Sequence, residues 1–321
     1  MADTKLGGMG AGGGARRSAS GLLVADDALG LIAGTPLVKL GRLSPAGGAT
    51  VWAKCEFMNP AGSVKDRPAL AMILAAERDG RLPPGSTIVE ATSGNTGISL
   101  AMIAGVRGHR CILVMPEDMS MERRYILRAY GADIELTPAQ RGMAGAVERA
   151  RAIVADTPGA FMPSQFENQA NPESHAQGTA LEIIEQLDGA VAAFVAGVGT
   201  GGTLTGVGRT LKSKLSPEVR VVAVEPQSSP VLSGGRPGLH GIQGLGAGFV
   251  PSILDRSVID QIIQVSDVAA EKSARAIAHT VGLLVGPSAG ANVHAALELA
   301  STMPSGNVVT ILCDSGERYL F

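Results

Sequence analysis

The chain has 321 residues, 45% of them hydrophobic and 17% charged, which is enough to build large cores in about two domains. Its formal net charge of −2 and its 3% aromatic residues argue against binding of nucleic acid or of an anionic membrane surface. No apolar run approaches the roughly 20 residues that would cross a bilayer.

The N-terminal segment and the cysteines bear on where the protein works. Residues 1–24 are rich in Gly and Ala and lack an apolar stretch followed by a cleavage site, so we predict a flexible tail and no secretory signal. Three sparse cysteines, Cys55, Cys111 and Cys313, predict free thiols in a reducing, cytoplasmic compartment. The five histidines have no metal-ligand spacing, so we predict no metal site.

Short apolar runs alternate with helical patterns along the rest of the chain. The predicted strands are TVWAKCEF, STIVEA, RCILVMP, DIELT, AFMPS, AAFVAGV, VRVVAVEP and VVTILCD. The predicted helices are ALAMILAAERDG, ISLAMIAGVRG, SMERRYILRAYG, GAVERARAIVADTPG, HAQGTALEIIEQL, GVGRTLKSKL and SDVAAEKSARAIAHTVG, the last capped by Ser266. Apolar strands separated by amphipathic helices predict parallel sheets covered on both faces. Residues 226–251 lack periodicity, which predicts a long loop.

The loop GVGTGGT, at residues 197–203, lies between a predicted strand and a predicted helix. It matches the G-x-G-x-x-G dinucleotide pattern, and Glu225 lies near the position of a ribose-binding acid, so a nicotinamide-dependent dehydrogenase stays open. Its backbone N–H groups and two hydroxyls at a helix start also suit a single phosphate. A tight turn without a ligand is the structural alternative.

The loop TSGNTG, at residues 92–97, also opens a predicted helix. Its hydroxyls, its backbone amides and one side-chain amide suit a carboxylate or another small anion. The structural alternative is an ordinary helix cap formed by Ser93 or Asn95.

Lys65 follows a Gly-Ser turn in NPAGSVKDRPA and precedes an apolar helix. A lysine near the positive end of a helix dipole is electrostatically unfavourable, so a desolvated Lys65 would have a lowered pKa. Such an amine is a good nucleophile towards an aldehyde. The structural alternative is a solvated lysine paired with Asp66.

The stretch GPSAG, at residues 286–290, is a G-x-S-x-G pattern followed by the helical run ANVHAALEL. Ser288 could therefore be the nucleophile of a serine hydrolase. That fold needs an acid and then a histidine after the serine, but no histidine follows Asp314 and His294 precedes it. A triad in the usual order cannot be built.

Six segments in chain order carry a resemblance to a known family: NPAGSVKDR, EATSGNTGISLAMIA, MPEDMSMERRYILRAYGADIEL, VGTGGTLTGVGR, QGLGAGFVP and CDSGERYL. They resemble the cysteine synthases (O-acetylserine sulfhydrylases) of the pyridoxal-phosphate fold type II group, which also contains cystathionine β-synthase. The match runs from about Thr35 to Leu320, which is nearly the whole folded chain.

The resemblance implies an α/β protein with two three-layer α/β/α domains, mostly parallel sheets and an active site in the cleft between them. A smaller, mobile substrate-binding domain would span residues 59–168. A larger domain, which binds pyridoxal 5'-phosphate, would combine residues 35–58 with 169–321. A homodimer and a complex with serine acetyltransferase are implied as well.

The resemblance also assigns roles to individual residues. Lys65 resembles the Schiff-base lysine and Ser288 the partner of the cofactor's pyridine nitrogen. Asn95 resembles the group that bonds the cofactor's phenolic oxygen. The phosphate cup would be Gly199, Thr200, Gly201, Gly202 and Thr203. The substrate carboxylate would be held by Thr92, Ser93, Gly94, Thr96 and Gln165, with Gly244 near the substrate amine.

The activity implied is replacement of the acetoxy group of O-acetyl-L-serine by sulfide, which gives L-cysteine and acetate through an aminoacrylate. Two departures from the family pattern line the cofactor region: Ala289 replaces a usual Ser, and Gly178-Thr179-Ala180-Leu181 replaces Thr-Thr-Gly-Pro after His175. O-phosphoserine, serine with homocysteine, and thiosulfate as donor therefore stay open. So does a non-catalytic binding protein on the same fold.

Overall fold

The structure is a computed structural model that describes residues 14–17, 23–92 and 94–320. Most of the predicted tail over 1–24 and the predicted site residue Ser93 lie outside the described residues. Within the described part of that tail, two short strands pair antiparallel, with Ala15 opposite Ala25.

The strands, in chain order, are β1 (Ala15–Arg17), β2 (Leu23–Ala25), β3 (Leu37–Lys39), β4 (Thr50–Cys55), β5 (Thr87–Ala91), β6 (Arg110–Pro116), β7 (Asp133–Thr137), β8 (Ala193–Gly197), β9 (Arg220–Pro226), β10 (Gln261–Val265) and β11 (Asn307–Leu312). The α-helices are α1 (Asp66–Arg78), α2 (Asn95–Arg107), α3 (Met121–Ala129), α4 (Gly142–Asp156), α5 (Ala170–Ser174), α6 (Ala180–Gln186), α7 (Gly202–Lys214), α8 (Asp267–Val281) and α9 (Pro287–Ser301). A π-helical turn, His175–Thr179, joins α5 to α6.

The chain divides into two compact units, each with its own sheet. Unit 1 consists of Met1–Ile32 and Lys65–Asn171, and unit 2 of Ala33–Val64 and Pro172–Phe321. The division of labour between a substrate-binding and a cofactor-binding domain remains a prediction.

Unit 1 contains a three-stranded parallel sheet in the order β5-β6-β7. On β5, Val89 and Ala91 pack with Ala146 and Ala150 of α4, and α2 packs against β6. The intervening residue, Glu90, has its side chain on the opposite face, because successive side chains of a strand alternate. The parallel arrangement confirms the expectation drawn from the apolar strands.

The prediction of a strand at AFMPS, in unit 1, is wrong. The segment AFMPS makes only an isolated parallel bridge, between Phe161 and Ile88. Pro163 has no N–H group to extend the pairing. Ser164 then turns the backbone into the left-handed region with a φ of 56°.

Unit 2 contains a six-stranded sheet in the order β10-β9-β8-β11-β4-β3, parallel except for β3, which pairs antiparallel with β4. On β9, Val222 and Val224 belong to a core with residues of α8 and α9. Val221 and Ala223 belong to a second core with residues of α6 and α7. Helices therefore cover both faces of this sheet, as the apolar strands predict.

Unit 2 differs from the sequence prediction in its edge strands and in one helix start, and agrees with it at one helix cap. The sequence patterns did not indicate β3 or β10, which are both edge strands. The helix expected at HAQGTALEIIEQL begins earlier, at Ala170, and runs through the π-helical turn. The predicted cap of α8 is confirmed, since the Ser266 side chain accepts a hydrogen bond from the Ala269 amide.

Candidate active site

The loop TSGNTG lies where β5 ends and the 13-residue helix α2 begins. Thr92 Oγ1 accepts a hydrogen bond from the Gly94 amide over 3.3 Å, so the Thr92 hydroxyl keeps its own proton to donate. Thr92 and Thr96 are buried, whereas Gly94 and Asn95 are half-buried. The start of a helix also presents backbone N–H groups to an anion.

Gln165 joins this set through its side chain. Thr96 Oγ1 donates a hydrogen bond of 2.6 Å to Gln165 Oε1, and Asn171 Nδ2 donates one of 2.9 Å to the Gln165 carbonyl. Because the amide oxygen is already used, the amide N–H groups of Gln165 are the donors that remain. The Thr92 hydroxyl and the Gln165 primary amide, held by Thr96, form a donor set at a helix start of the kind that a carboxylate requires.

Sequence reasoning missed Glu90, which lies on β5 two residues before Thr92. The side chain is 3% exposed, and its Oε2 accepts a hydrogen bond of 2.8 Å from the Ser164 amide. Burial raises the pKa of Glu90 to about 7, and the N–H groups of Ser164 and Gln165 oppose that rise. The signal in the sequence is a single acid in the otherwise apolar strand TIVEA.

Lys65 is the residue that precedes α1, as predicted. It is half-buried, and its carbonyl accepts a hydrogen bond of 3.0 Å from the Ala69 amide. Asp66 is fully buried and accepts a hydrogen bond of 2.5 Å from Ser99 Oγ. Lys65 is thus only partly accessible and its neighbour Asp66 is fully buried, while the role of Lys65 remains a prediction.

In unit 2, the loop GVGTGGT leads from β8 into the 13-residue helix α7. Gly201 has a φ of 85°, a conformation that favours glycine. A Cβ at Gly199 would collide with the carbonyl oxygen of Gly244. The glycines at 199 and 201 are therefore required by the backbone just before α7 begins, and a helix start is where backbone N–H groups bind anions.

The hydroxyls of this loop complete a set that fits a phosphate. Thr200 Oγ1 accepts a hydrogen bond from the Gly202 amide over 3.4 Å. Thr203 Oγ1 lies 3.2 Å from Nε2 of His175, a buried residue of the π-helical turn. His175 Nδ1 lies 2.9 Å from Thr179 Oγ1. Backbone amides and hydroxyls, with no carboxylate among them, are the donors expected for the phosphate of pyridoxal 5'-phosphate.

Ser288 is the second residue of the 15-residue helix α9, with Pro287 at the first helical position, and it is 3% exposed. Gly244 has a φ of 95°, and a Cβ added there would lie 3.7 Å from Ser288 Oγ. Since Gly244 also adjoins Gly199, the structure of unit 2 brings these three predicted residues together. The fit supports a cofactor whose phosphate and ring bind at two neighbouring helix starts.

The hydrolase alternative finds no support around Ser288. His294 Nδ1 lies 3.4 Å from Ser273 Oγ, so its ring serves another serine. The Tyr319 hydroxyl donates a hydrogen bond to Asp314 Oδ2. A buried serine beside a glycine backbone suits a hydrogen bond to a ligand better than nucleophilic attack.

Sequence reasoning also missed Asn292, which lies one turn after Ser288 on α9 and is 1% exposed. Its Oδ1 accepts a hydrogen bond of 2.7 Å from the Gly197 amide at the end of β8. Its Nδ2 donates one of 2.9 Å to the Ile311 carbonyl on β11. One side chain thus fixes the start of α9 to the strand that leads into the phosphate loop.

The dehydrogenase alternative depended on Glu225. This carboxylate is 2% exposed and accepts hydrogen bonds from the Leu232 amide (2.7 Å), the Ser233 amide (3.1 Å) and the Ser233 hydroxyl (2.5 Å). Its oxygens hold the following loop, so they are not directed at a ribose.

The cysteines and the other residue types that bind metals bear on further sequence predictions. Cys55, Cys111 and Cys313 are free thiols, and burial raises the pKa of Cys55 to about 11 and of Cys111 to about 12. Within residues 14–17, 23–92 and 94–320, no three His, Cys, Asp or Glu side chains gather as a metal site would need. In the same part of the chain, every helix is too short or too polar to cross a membrane.

Known proteins resemble this chain in sequence and in fold. Residues 28–314 match the family model described as "Pyridoxal-phosphate dependent enzyme". A cysteine synthase of Staphylococcus aureus (strain N315) is 50% identical over 297 residues, which cover 92% of this chain and 95% of that protein.

Solved structures of similar proteins share the fold. A crystal structure of an O-ureido-L-serine synthase superposes with a TM-score of 0.89 at 45% identity, covering 92% of this chain and 94% of that one. A crystal structure of the cysteine synthase (OASS) from Entamoeba histolytica gives 0.89 at 41% identity, covering 92% and 89%.

Proposed function

The chain belongs to the family of pyridoxal-phosphate dependent enzymes, and on that premise we propose that it is a cysteine synthase. The reaction is replacement of the acetoxy group of O-acetyl-L-serine by sulfide, which yields L-cysteine and acetate. Support comes from the 50% identity to a protein named cysteine synthase and from the structural likeness to a cysteine synthase (OASS). The carrying observation is the convergence of Gly199, Gly244 and Ser288 at two helix starts of unit 2.

We assign the cofactor to residues of the described loops. The amides and hydroxyls of Gly199, Thr200, Gly201, Gly202 and Thr203 would hold the phosphate. Ser288 would donate to the ring nitrogen, Asn95 would bond the ring oxygen, and Lys65 would bind the aldehyde carbon. A neutral serine hydroxyl, unlike an aspartate, does not stabilise a protonated ring nitrogen, which favours loss of a β-substituent over racemisation.

The substrate carboxylate is assigned to the end of β5. The Thr92 hydroxyl and the Gln165 amide N–H groups supply the donors, Thr96 holds Gln165 by donating to its amide oxygen, and Ser93 and Gly94 complete the loop. Gly244 contributes its backbone near the substrate amine. These contacts fix the α-carbon relative to Lys65, which is the main use of such binding energy.

Lys65 is the general acid–base of the proposal. When bound, pyridoxal phosphate supplies the electron sink that makes the α-proton of the amino acid removable. Once the amine of the amino acid has replaced Lys65 at the aldehyde carbon, the freed Lys65 amine would take that proton from the α-carbon as acetate leaves the β-carbon. Hydrosulfide then forms the C–S bond at the β-carbon, and Lys65 returns the proton to the α-carbon, so that the atoms balance.

The test uses the holoprotein with O-acetyl-L-serine and sulfide. We expect the visible absorbance of the bound cofactor to change on addition of O-acetyl-L-serine, to recover when sulfide follows, and L-cysteine to accumulate. A protein that binds the cofactor but forms no L-cysteine with O-acetyl-L-serine, O-phospho-L-serine or serine would refute the proposal. Assays with homocysteine or thiosulfate in place of sulfide identify the sulfur donor.

A second candidate is formation of O-ureido-L-serine, which the 45% identity to an O-ureido-L-serine synthase favours. Hydroxyurea would then replace sulfide in the same β-replacement. Two segments depart from the cysteine synthase pattern: Ala289 follows Ser288 in the sequence, and Thr179 of the Gly178–Leu181 segment lies 2.9 Å from His175, which contacts Thr203. The ratio of kcat/KM for sulfide to that for hydroxyurea separates the two candidates.

We also propose that the protein is a cytoplasmic homodimer that binds serine acetyltransferase. The free thiols of the described residues suit a reducing compartment. Light scattering after size exclusion gives the mass, and a titration with the acetyltransferase C-terminal peptide, followed by cofactor fluorescence, tests the partner. A monomer that ignores the peptide would refute both.

A further inference from the structure

Glu90 is a buried acid that the proposed reaction does not use. Its neighbours on β5, Val89 and Ala91, face the core formed with α4. The side chains of Glu90 and Thr92 therefore share the other face of the strand. An acid at 3% exposure in an apolar strand calls for an explanation in terms of its partners, because burial disfavours its charged form.

Both partners of Glu90 are backbone amides of one turn. Oε2 accepts the Ser164 N–H over 2.8 Å, and the neighbouring Gln165 N–H also lowers the pKa of this carboxyl group. Ser164 has a φ of 56°, which is uncommon for a residue with a side chain. The amides of Glu167 and Asn168 donate to the Ser164 carbonyl over 2.9 and 3.0 Å and close the turn.

That turn sets the direction of the Gln165 side chain. Gln165 Oε1 accepts the hydrogen bond of 2.6 Å from Thr96, on the first turn of α2. A closed circuit therefore runs from β5 through Glu90 to Gln165, through Thr96 to α2, and back to β5 along the loop at Thr92. Every member of this circuit belongs to unit 1.

We propose that Glu90 is the positioning residue of the substrate-carboxylate site: by accepting the Ser164 and Gln165 amides it aims the Gln165 side-chain N–H groups at the carboxylate. The inference rests on the proposed function, since it deepens the site assigned there. Glu90 itself touches no substrate.

An acceptor with two oxygens is what this turn requires. Two adjacent backbone N–H groups converge on Glu90, and a carboxylate offers two acceptor oxygens. Glutamine has nearly the same shape but replaces one acceptor by an NH₂ group, which would face a backbone donor. Glu90→Gln is therefore the sharp probe, because it removes one acceptor and little volume.

Val89→Ala is the matched control. Val89 is fully buried on the same strand and faces the α4 core, so its truncation destabilises β5 and leaves the carboxyl group in place. Assays at pH 8 keep Glu90 mainly ionised, since burial raises its pKa to about 7.

The holoproteins are titrated with O-acetyl-L-serine without sulfide, followed by cofactor absorbance, and then assayed with sulfide. For Glu90→Gln we expect the Kd and the KM for O-acetyl-L-serine to rise about tenfold or more, with kcat changed less than about threefold. The affinity for pyridoxal phosphate and the KM for sulfide stay unchanged. Val89→Ala should lower Tm and leave the Kd for O-acetyl-L-serine unchanged.

Amide hydrogen exchange gives a readout that needs no activity. In Glu90→Gln, the Ser164 and Gln165 amides should exchange at least about tenfold faster than in the wild type. In Val89→Ala, the exchange rates of these two amides relative to their neighbours should be unchanged. Faster exchange without a rise in Kd would overturn the proposal, because Glu90 would then serve the fold alone. An equal rise in Kd for both variants would overturn it as well.

The two hypotheses fail separately. If the wild type binds O-acetyl-L-serine but forms no L-cysteine, the proposed function fails, and the Kd ratio still judges Glu90. If the cofactor absorbance of neither the wild type nor the variants changes with O-acetyl-L-serine, no carboxylate site exists at the end of β5 and the positioning role is refuted.

Discussion

The two proposed ligand sites, one in each unit, lie at the ends of parallel strands that lead into helices, but they are organised differently. In unit 1 the donors are mainly side chains, and a buried carboxylate, Glu90, holds the turn that carries one of them. In unit 2 the donors are mainly backbone amides. Close packing requires glycine at positions of this loop, and the neutral side-chain amide of Asn292 fixes the start of α9.

This difference separates the sensitivities of the two sites. The site of unit 1 depends on an ionisable group, and a change of that group's charge alters its hydrogen bonds. The site of unit 2 depends on steric fit and on an amide that does not titrate. We therefore expect changes in unit 1 to affect the amino-acid substrate and changes in unit 2 to affect the cofactor.

The largest effect is expected at Lys65, which serves both ligands. Lys65→Ala should lower kcat for L-cysteine formation at least about 1,000-fold, because the general base is lost. The measurement is a coupled assay for L-cysteine at saturating cofactor. Lys272→Ala, an exposed lysine on α8, is the control and should retain full activity. Residual activity of Lys65→Ala within tenfold of the wild type would remove Lys65 from the mechanism.

The next effect is on stability and comes from Glu90. Burial raises its pKa from 4.5 to about 7, so between these values the folded state binds more protons than the unfolded state. The free energy of unfolding should therefore fall by up to about 3 kcal/mol as the pH rises from 4.5 to 7, and this contribution stays constant above 7.

Urea unfolding from pH 5 to 8 measures this dependence. The free energy of unfolding of Glu90→Gln relative to the wild type should rise across that range, because the variant lacks the titrating group. Asn292→Ala, in unit 2, should keep the pH dependence of the wild type. Parallel curves for Glu90→Gln and the wild type would show that Glu90 does not titrate in this window.

A smaller loss is expected at Gly199 in unit 2. Gly199→Ala places a Cβ against the Gly244 carbonyl, and the loop must shift at a cost of about 2 kcal/mol. That corresponds to an affinity for pyridoxal phosphate about 30-fold lower. Fluorescence titration of the apoprotein measures it, with Gly41→Ala as the control, since a Cβ there would meet only the flexible Lys39 side chain. Equal affinities of both variants for pyridoxal phosphate would contradict the assignment of this loop as the phosphate cup.

The smallest effect is expected at Asn292. Asn292→Ala leaves the Gly197 amide and the Ile311 carbonyl without this partner, which should cost about 1 to 2 kcal/mol of stability. Urea unfolding at a fixed pH measures the loss. Cofactor affinity should fall by about fivefold, because the start of α9 carries Ser288. A stable variant with unchanged cofactor affinity would make Asn292 a core residue only.

The two glycine- and threonine-rich loops could be placed from the sequence alone, but the distant side chains that fix their positions could not be found from it. TSGNTG and GVGTGGT both open helices as predicted, because local Gly and Thr patterns govern turns and helix starts. Glu90 and Asn292 act on partners 74 and 95 residues away, and no local pattern reports such contacts. Their signal was a lone polar residue inside an apolar element, which the sequence reading passed over.

The errors in secondary structure have a similar cause. AFMPS reads as a short apolar strand, but Pro163 and the left-handed Ser164 end the pairing after Phe161. The turn that breaks the strand is the one that Glu90 holds, so the failed prediction lies at the proposed site. The edge strand β10, QIIQV, was not predicted because its two glutamines interrupt the apolar pattern of a buried strand.

The most direct test of the two-site account is a pair of titrations on Glu90→Gln and Asn292→Ala, one with pyridoxal phosphate on the apoprotein and one with O-acetyl-L-serine on the holoprotein. The account predicts that Glu90→Gln weakens only O-acetyl-L-serine binding and that Asn292→Ala weakens pyridoxal phosphate binding more than O-acetyl-L-serine binding. Equal losses of both affinities in both variants would contradict it, because each residue would then act only through general stability.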